Sequence, residues 1–181
     1  AHGRGICEAL GTPSNRIYLG ATLSKAFGAY GGIIAGSGDF IEKVRAGSVM
    51  TGSSSPMHAA VAAGIKGLEL VQENHKLRKK LWENARYLRE SLEHMGVGTE
   101  TVFIPEMHGT IPIFSFSYGD ATSMRSIHKF LMKQGIYIQY TSYKGAGSEG
   151  VLRIVVTSSH KKAEIVRLTH TLKEAFSAVR S

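Results

Sequence analysis

The sequence is poor in the residues that build disulfide-stapled or membrane-embedded proteins. A single cysteine, Cys7, among 181 residues excludes an internal disulfide framework and indicates a reducing cytoplasm. No apolar run approaches the length that spans a bilayer, and the first residues lack the pattern of a signal peptide. Internal repeats and low-complexity tracts are absent too. We therefore expect a cytoplasmic globular chain with a small apolar Cys7 and no membrane partner.

Acidic residues are also scarce, with 14 Asp and Glu against 22 Lys and Arg, which gives a net charge of +8. Such an excess can attract nucleic acid or another anionic surface. Much of it lies in residues 75–82 and 161–162, within amphipathic helical patterns that are typical of solvated faces. We expect no nucleic acid partner, and the basic surface suits phosphate-bearing small molecules.

Glycine, in contrast, is abundant and concentrates around one lysine. Lys25 lies in the run TLSKAFG at residues 22–28, closely followed by Gly31 and Gly32. Small, backbone-permissive neighbours allow close approach to a ligand, and a desolvated amine can attack a carbonyl. Hydroxyls of Thr22 and Ser24 are donors that suit a phosphate. The spacing fits equally well a strand-to-loop connection whose lysine only caps the edge of a sheet.

Three segments of the chain match known motifs: AHGRG at residues 1–5, the lysine segment at residues 22–36 and VLRIVVTSSH at residues 151–160. In this order they resemble the α-oxoamine synthases. These are pyridoxal-phosphate (PLP) acyltransferases of fold type I, the aspartate-aminotransferase fold, and include 8-amino-7-oxononanoate synthase and 2-amino-3-ketobutyrate CoA ligase. AHGRG at residues 1–5 resembles the end of a family Asp-Glu-Ala-His motif. Residues 22–36 resemble the cofactor-lysine segment, and VLRIVVTSSH at residues 151–160 resembles an Arg-Leu-Arg-Ile motif. Together the match covers nearly the whole chain and does not single out one member.

The resemblance implies a role for each matching position. Lys25 is the lysine that binds PLP covalently and moves the α-proton, and Thr22 contacts the cofactor phosphate. His2 hydrogen-bonds the phenolic oxygen of the cofactor. Ser53 reaches a phosphate in the neighbouring subunit of a homodimer. Arg153 pairs with the carboxylate of the amino-acid substrate, a task that suits a planar fork of donors.

Three of these residues also have structural interpretations. His2 at the chain end fits a solvated side chain. Ser53, in the run of serines before Pro56, fits the N-cap of a helix with proline in its first turn. Arg153 lies in an apolar strand, so either a structural carboxylate or a substrate carboxylate must face it.

The sequence departs from the family pattern in two places. The aspartate that pairs with the pyridine nitrogen of PLP would lie three residues before His2, off the start of this chain. We therefore expect the chain to be the C-terminal half of a longer enzyme and to be inactive alone. The second departure is at residues 140–150, proline-free where many relatives carry a proline-rich loop at the substrate entrance. It leaves the specificity for amino acid and acyl chain open.

The predicted fold class is α/β, as the C-terminal part of a fold type I PLP enzyme. Residues 1–56 are expected to end the large domain, 57–96 to form linking helices, and 97–181 to form a small α+β domain with helices on one face of a mainly antiparallel sheet. Asp39 is expected to cap a helix, and Gly96 and Gly135 are expected to stop helices. Strands are predicted at residues 16–19, 32–35, 101–104, 111–117, 136–140 and 151–156, the first two of them buried; helices are predicted at 39–45, 57–73, 77–95, 123–133 and 161–179.

The activity that the resemblance implies is condensation of an amino acid with an acyl-CoA thioester. Loss of CO2, in most members, then gives an aminoketone. An aminotransferase of the same fold would use the same lysine and arginine without CoA. A third alternative is a noncatalytic fragment that binds the cofactor weakly or not at all.

Overall fold

The computed structural model describes residues 5–12, 17–97, 103–104, 109–142 and 148–180. The chain divides into two compact units, Ala1–His75 and Lys76–Ser181. One of the two predicted linking helices falls in each unit, so the three-part division by sequence stays a prediction. Within the described ranges, no helix is both long enough and apolar enough to cross a membrane.

The described part of the first unit contains a two-stranded ribbon and three helices. Strand β1 pairs antiparallel with β2, in a register that runs from Leu19↔Ala35 to Thr22↔Gly32. Its elements are α1 (Ile6–Ala9), β1 (Leu19–Thr22), β2 (Gly32–Ala35), α2 (Gly38–Arg45) and α3 (His58–Glu73).

The prediction that the two strands of the ribbon are buried was wrong. Every residue of β1 and β2 is exposed, including Ile33 and Ile34, whose side chains point to opposite faces. The described part of this unit adds no third strand to the ribbon. Strand β1 also starts later than predicted, at Leu19, and Arg16 lies outside the described residues. Apolar side chains on both faces are the pattern of a strand inside a larger sheet.

The starts of α2 and α3 differ from the predicted caps. The N-cap of α2 is Ser37, whose hydroxyl accepts a hydrogen bond from the Phe40 amide at 3.4 Å, so the prediction of Asp39 as cap was wrong. Ser37 has the extended backbone that an N-cap needs, whereas Asp39 lies in the first turn, where its carboxylate favours the helix dipole. The N-cap of α3 is Met57, without a side-chain hydrogen bond, which excludes the serine cap.

The second unit is an α+β assembly around a three-stranded antiparallel sheet. The strand order β5-β7-β6 places β7 in the centre. This confirms the predicted antiparallel character. The predicted order of elements is confirmed except for β4, an unpredicted strand that pairs with β3 in a separate two-stranded sheet. The elements are α4 (His75–His94), β3 (Phe103–Ile104), β4 (Gly109–Thr110), β5 (Ile113–Phe116), α5 (Ala121–Lys133), β6 (Gln139–Thr141), β7 (Val151–Val155) and α6 (Lys162–Arg180).

One face of the sheet packs against the helices. Phe114, Leu152 and Ile154 alternate with outward residues along their strands and are buried in a single apolar cluster. The helices contribute periodic apolar residues to this cluster: Ala85, Leu88 and Leu92 from α4, Met124, Ile127 and Leu131 from α5, and Ile165, Leu172 and Phe176 from α6. Gly96 and Gly135 follow α4 and α5 with φ of +71° and +69°, as predicted for C-terminal glycines.

Adjacent residues of α5 provide a test of this core. Leu131 is fully buried and Met132 is 48% exposed. We expect Leu131→Ala to lower the unfolding free energy of this unit by about 2–5 kcal/mol, since it leaves a cavity. Met132→Ala is expected to cost less than about 1 kcal/mol. Urea denaturation is monitored through the fluorescence of Trp82, the single tryptophan of the chain, which lies in α4 of this unit. Equal losses of unfolding free energy for the two substitutions would contradict the packing.

Candidate active site

Lys25 lies in the loop that joins β1 to β2. The loop is closed by its own backbone: the Leu23 amide donates to the Gly31 carbonyl and the Ala29 amide to the Leu23 carbonyl, both at 3.0 Å. Gly28 and Gly31 have φ of +61° and +111°, a region that other residues rarely adopt. The exposed Lys25 amine has no hydrogen bond or ion pair with any described residue. The loop is therefore ordered while the amine remains available to a ligand.

Two hydroxyls accompany this amine. Thr22 Oγ1 and Ser24 Oγ are hydrogen-bonded at 2.7 Å, and the Ser24 amide donates to Thr22 Oγ1 at 3.3 Å. Both side chains are exposed, so each hydroxyl can turn to an anionic oxygen. A primary amine beside paired hydroxyl donors suits a ligand that carries an aldehyde and a phosphate. The residues present here therefore fit PLP.

Helix α3 supports the lysine loop through two glycines. A Cβ at Gly67 would lie 2.5 Å from the Phe27 carbonyl oxygen and 3.0 Å from its Cα, too close for any side chain. A Cβ at Gly64, one turn earlier, would lie at ordinary contact distance, 3.6 Å from Leu23 and 3.7 Å from Ala29. Close approach of helix and loop thus depends on Gly67, a requirement that the sequence analysis missed.

Ser53 and His2 are the other two residues that were predicted to lie near the cofactor. Ser53 is exposed and donates its hydroxyl proton to the Val49 carbonyl at 2.8 Å, so contact with a phosphate would require that bond to break. His2 lies outside the described residues. Both roles stay predictions.

Arg153 belongs to the second unit and occupies the middle of the central strand β7. It lies opposite Ser115 of β5 and opposite Gln139 of β6. Its Nε is buried and has no acceptor among the described residues, and none of them pairs with its other nitrogens. A buried guanidinium donor without a partner is costly. No described residue supplies the structural carboxylate that the sequence left open, so this arginine requires an acceptor from elsewhere.

The end of β7 is held by a buried amide that sequence reasoning did not identify. Asn84 of α4 is 7% exposed and donates both amide protons, to the Thr157 carbonyl at 3.0 Å and the His160 carbonyl at 2.9 Å. His160 Nδ1 in turn accepts from the Thr157 amide at 3.0 Å. The signal in the sequence was an asparagine next to the apolar stripe of α4. These bonds fix the turn that follows the Arg153 strand.

Known proteins match this chain over most of its length. A family model for aminotransferase class I and II covers residues 9–172. The 8-amino-7-oxononanoate synthase of Thermosipho melanesiensis is 29% identical over 91% of this chain and 41% of its own length. That of Thermoanaerobacter pseudethanolicus is 31% identical over 80% of this chain and 35% of its own. The chain thus spans well under half the length of these curated relatives.

Solved structures agree with this similarity. A lysine-to-alanine variant of serine palmitoyltransferase from S. paucimobilis, with bound PLP-myriocin aldimine, has a TM-score of 0.87 and 24% identity. The alignment covers 98% of this chain and 44% of that protein. The predicted resemblance and the predicted fold class are confirmed.

The two glycines of α3 form a matched pair for testing the support of the lysine loop. We expect Gly67→Ala to push α3 away from Phe27, at a cost of about 1–3 kcal/mol. Amide exchange in the loop, at Leu23 and Ala29, should then rise about tenfold or more. Gly64→Ala should leave the exchange rate of these amides unchanged or lower it, because alanine favours the helix. Equal exchange in the two variants, measured by mass spectrometry, would argue against this support.

Proposed function

The chain belongs to the aminotransferase class I and II family, and we propose that it forms part of a PLP-dependent acyltransferase of the α-oxoamine synthase group. The observation that carries the proposal is the Arg153 guanidinium, half-buried in an apolar strand and without an acceptor among the described residues. A cation in this state fits a ligand with a carboxylate, as an amino acid has.

The lysine loop would hold the cofactor. Thr22 and Ser24 would donate hydroxyl protons to its phosphate, and the Lys25 amine would bind its aldehyde carbon. When bound, PLP withdraws electrons from the α-carbon of an amino acid, which makes the α-proton acidic. The amino group of the substrate would replace Lys25 on the aldehyde carbon and free the lysine as a neutral amine. Lys25 Nζ would then take the α-proton and later return it. His2 would donate a hydrogen bond to the phenolic oxygen.

Arg153 would orient the substrate. Its guanidinium would hold the carboxylate and so select which bond to the α-carbon is broken. The α-carbon would then form a bond to the carbonyl carbon of an acyl-CoA thioester, and the CoA thiolate would leave with the electron pair of the broken carbon–sulfur bond. Subsequent loss of the carboxylate as CO2 would give an aminoketone.

The rest of the proposal concerns the subunits and domains of the full-length protein. We propose that the full-length protein is a homodimer in which Ser53 reaches the cofactor phosphate of the neighbouring subunit. Residues 1–56 would complete a large domain, 57–96 would link the domains and 97–181 would form the small one. The exposed apolar strands β1 and β2 support this, since they suit the interior of a larger sheet.

Release of CoA distinguishes this function from its nearest alternative. The full-length protein, given PLP, an amino acid and an acyl-CoA, is expected to release free CoA, which a thiol reagent detects continuously. An aminotransferase would convert the amino acid to its oxo acid without releasing CoA, and that result would refute the proposal. The 181 residues alone are expected to release none.

Substitution of Lys25 tests the cofactor site. Lys25→Ala should abolish the visible absorption band that PLP develops in the full-length protein, because no other amine in the loop can replace it. Thr22→Val should retain the band but weaken PLP binding about tenfold, since one donor to a phosphate is lost. A band that survives Lys25→Ala would place the reactive amine elsewhere. Lys43→Ala, at an exposed lysine of α2, is the control and should change neither the band nor the affinity.

A further inference from the structure

Arg153 is the central member of a row of three polar residues across the sheet. Ser115, Arg153 and Gln139 are direct partners on β5, β7 and β6. Directly opposed residues of an antiparallel sheet share a face, with Cβ atoms about 4.5–5.5 Å apart. Because the neighbours of Arg153 along β7, Leu152 and Ile154, face the helices, this row lies on the opposite face.

The hydrogen-bond pattern distinguishes the two neighbours of Arg153. The Val156 amide donates to the carbonyl of Pro112, in the segment that leads into β5. Because the backbone groups of successive residues in a central strand point alternately to its two neighbours, the even-numbered residues of β7 make their backbone hydrogen bonds to β5. Arg153 and Ser115 therefore form a non-hydrogen-bonded pair, with the short serine beside the arginine stem. Arg153 and Gln139 form the hydrogen-bonded pair, and glutamine is long enough to reach alongside the guanidinium head.

Burial of Arg153 Nε limits how an anion can approach. The Nε atom is enclosed by the protein, so a carboxylate cannot use the side-on fork of Nε and one Nη without displacing its surroundings. It must meet the Nη end of the group. A carboxylate has about four lone-pair sites, and an end-on contact leaves some of them for a second donor.

Gln139 is placed to be that donor. Its side chain is exposed and makes no hydrogen bond with any described residue. Its amide can donate to a carboxylate oxygen, and because it is neutral it neither repels the anion nor neutralises Arg153. It stands on the edge strand β6.

We propose that Gln139 is a substrate-contacting residue that binds the same carboxylate as Arg153 and thereby contributes to the choice of a free α-amino acid as substrate. This inference rests on the proposed function, because it assumes that the ligand of Arg153 is the amino-acid carboxylate. Gln139 adds a hydrogen bond that depends on the negative charge of the ligand. The corresponding amide, which lacks that charge, gains little from it.

The test compares two ligands and two matched glutamines in the full-length protein with PLP. Binding of L-alanine and of L-alaninamide is titrated through the change each causes in the cofactor absorption spectrum. Gln139→Ala is expected to weaken L-alanine binding about tenfold to 150-fold, the range for one hydrogen bond to a charged group. L-alaninamide binding should change less than about twofold. Gln134→Ala, at an exposed glutamine after α5, should change neither affinity.

A second variant keeps the shape of the side chain. Gln139→Glu preserves size and places a negative charge beside Arg153, so it should weaken L-alanine binding more than Gln139→Ala does. Thermal transitions close to that of the unsubstituted protein would show that both variants fold.

The outcomes separate the inference from the function on which it rests. If Arg153→Ala greatly weakens L-alanine binding while Gln139→Ala and Gln139→Glu match Gln134→Ala, the inference is wrong and the proposed function stands. Equal losses for L-alanine and L-alaninamide would also overturn it, because the contact would not involve the carboxylate. If neither ligand nor other small amino acids perturb the spectrum of the unsubstituted protein, both proposals fail.

Discussion

The second unit is organised around a cation in the middle of its sheet. Arg153 stands on the central strand, with Nε enclosed and no acceptor among the described residues. Folding tolerates this because the opposite face of the same strand buries Leu152 and Ile154 in a continuous core with three helices. The buried Asn84 then fixes the turn after β7 through two backbone carbonyls. The packed core thus stabilises a strand that carries a guanidinium whose enclosed Nε has no acceptor among the described residues.

The first unit has the opposite character, with an ordered loop on a ribbon that has little core of its own. Lys25 is presented by backbone hydrogen bonds, two glycines with positive φ and the close approach of α3 at Gly67. Its strands expose apolar side chains on both faces, and a two-stranded ribbon of this kind is only marginally stable in water. The matched region covers 41% of the length of the Thermosipho relative.

Much of this architecture could be predicted from local pattern. Periodicity predicts the apolar stripe of α4 and, apart from β4, the order of strands and helices in the second unit. The stops at Gly96 and Gly135 follow from the backbone freedom of glycine. The cap of α2 could not be predicted in the same way, since Ser37 and Asp39 are both good capping residues. Only the backbone geometry, extended at Ser37, decides between them.

The sequence by itself determined which chemistry is present: a lysine among glycines beside two hydroxyls, and an arginine within an apolar strand, in the order of a known family. It could not show that Asn84 is buried beside the apolar stripe of α4 and bonds the turn after β7, that Gly67 and not Gly64 is needed for close approach, or that Gln139 stands beside Arg153. These facts depend on contacts between residues far apart in the chain. Strand register and helix approach set such contacts, and both are decided by packing of the whole unit, which local pattern does not encode.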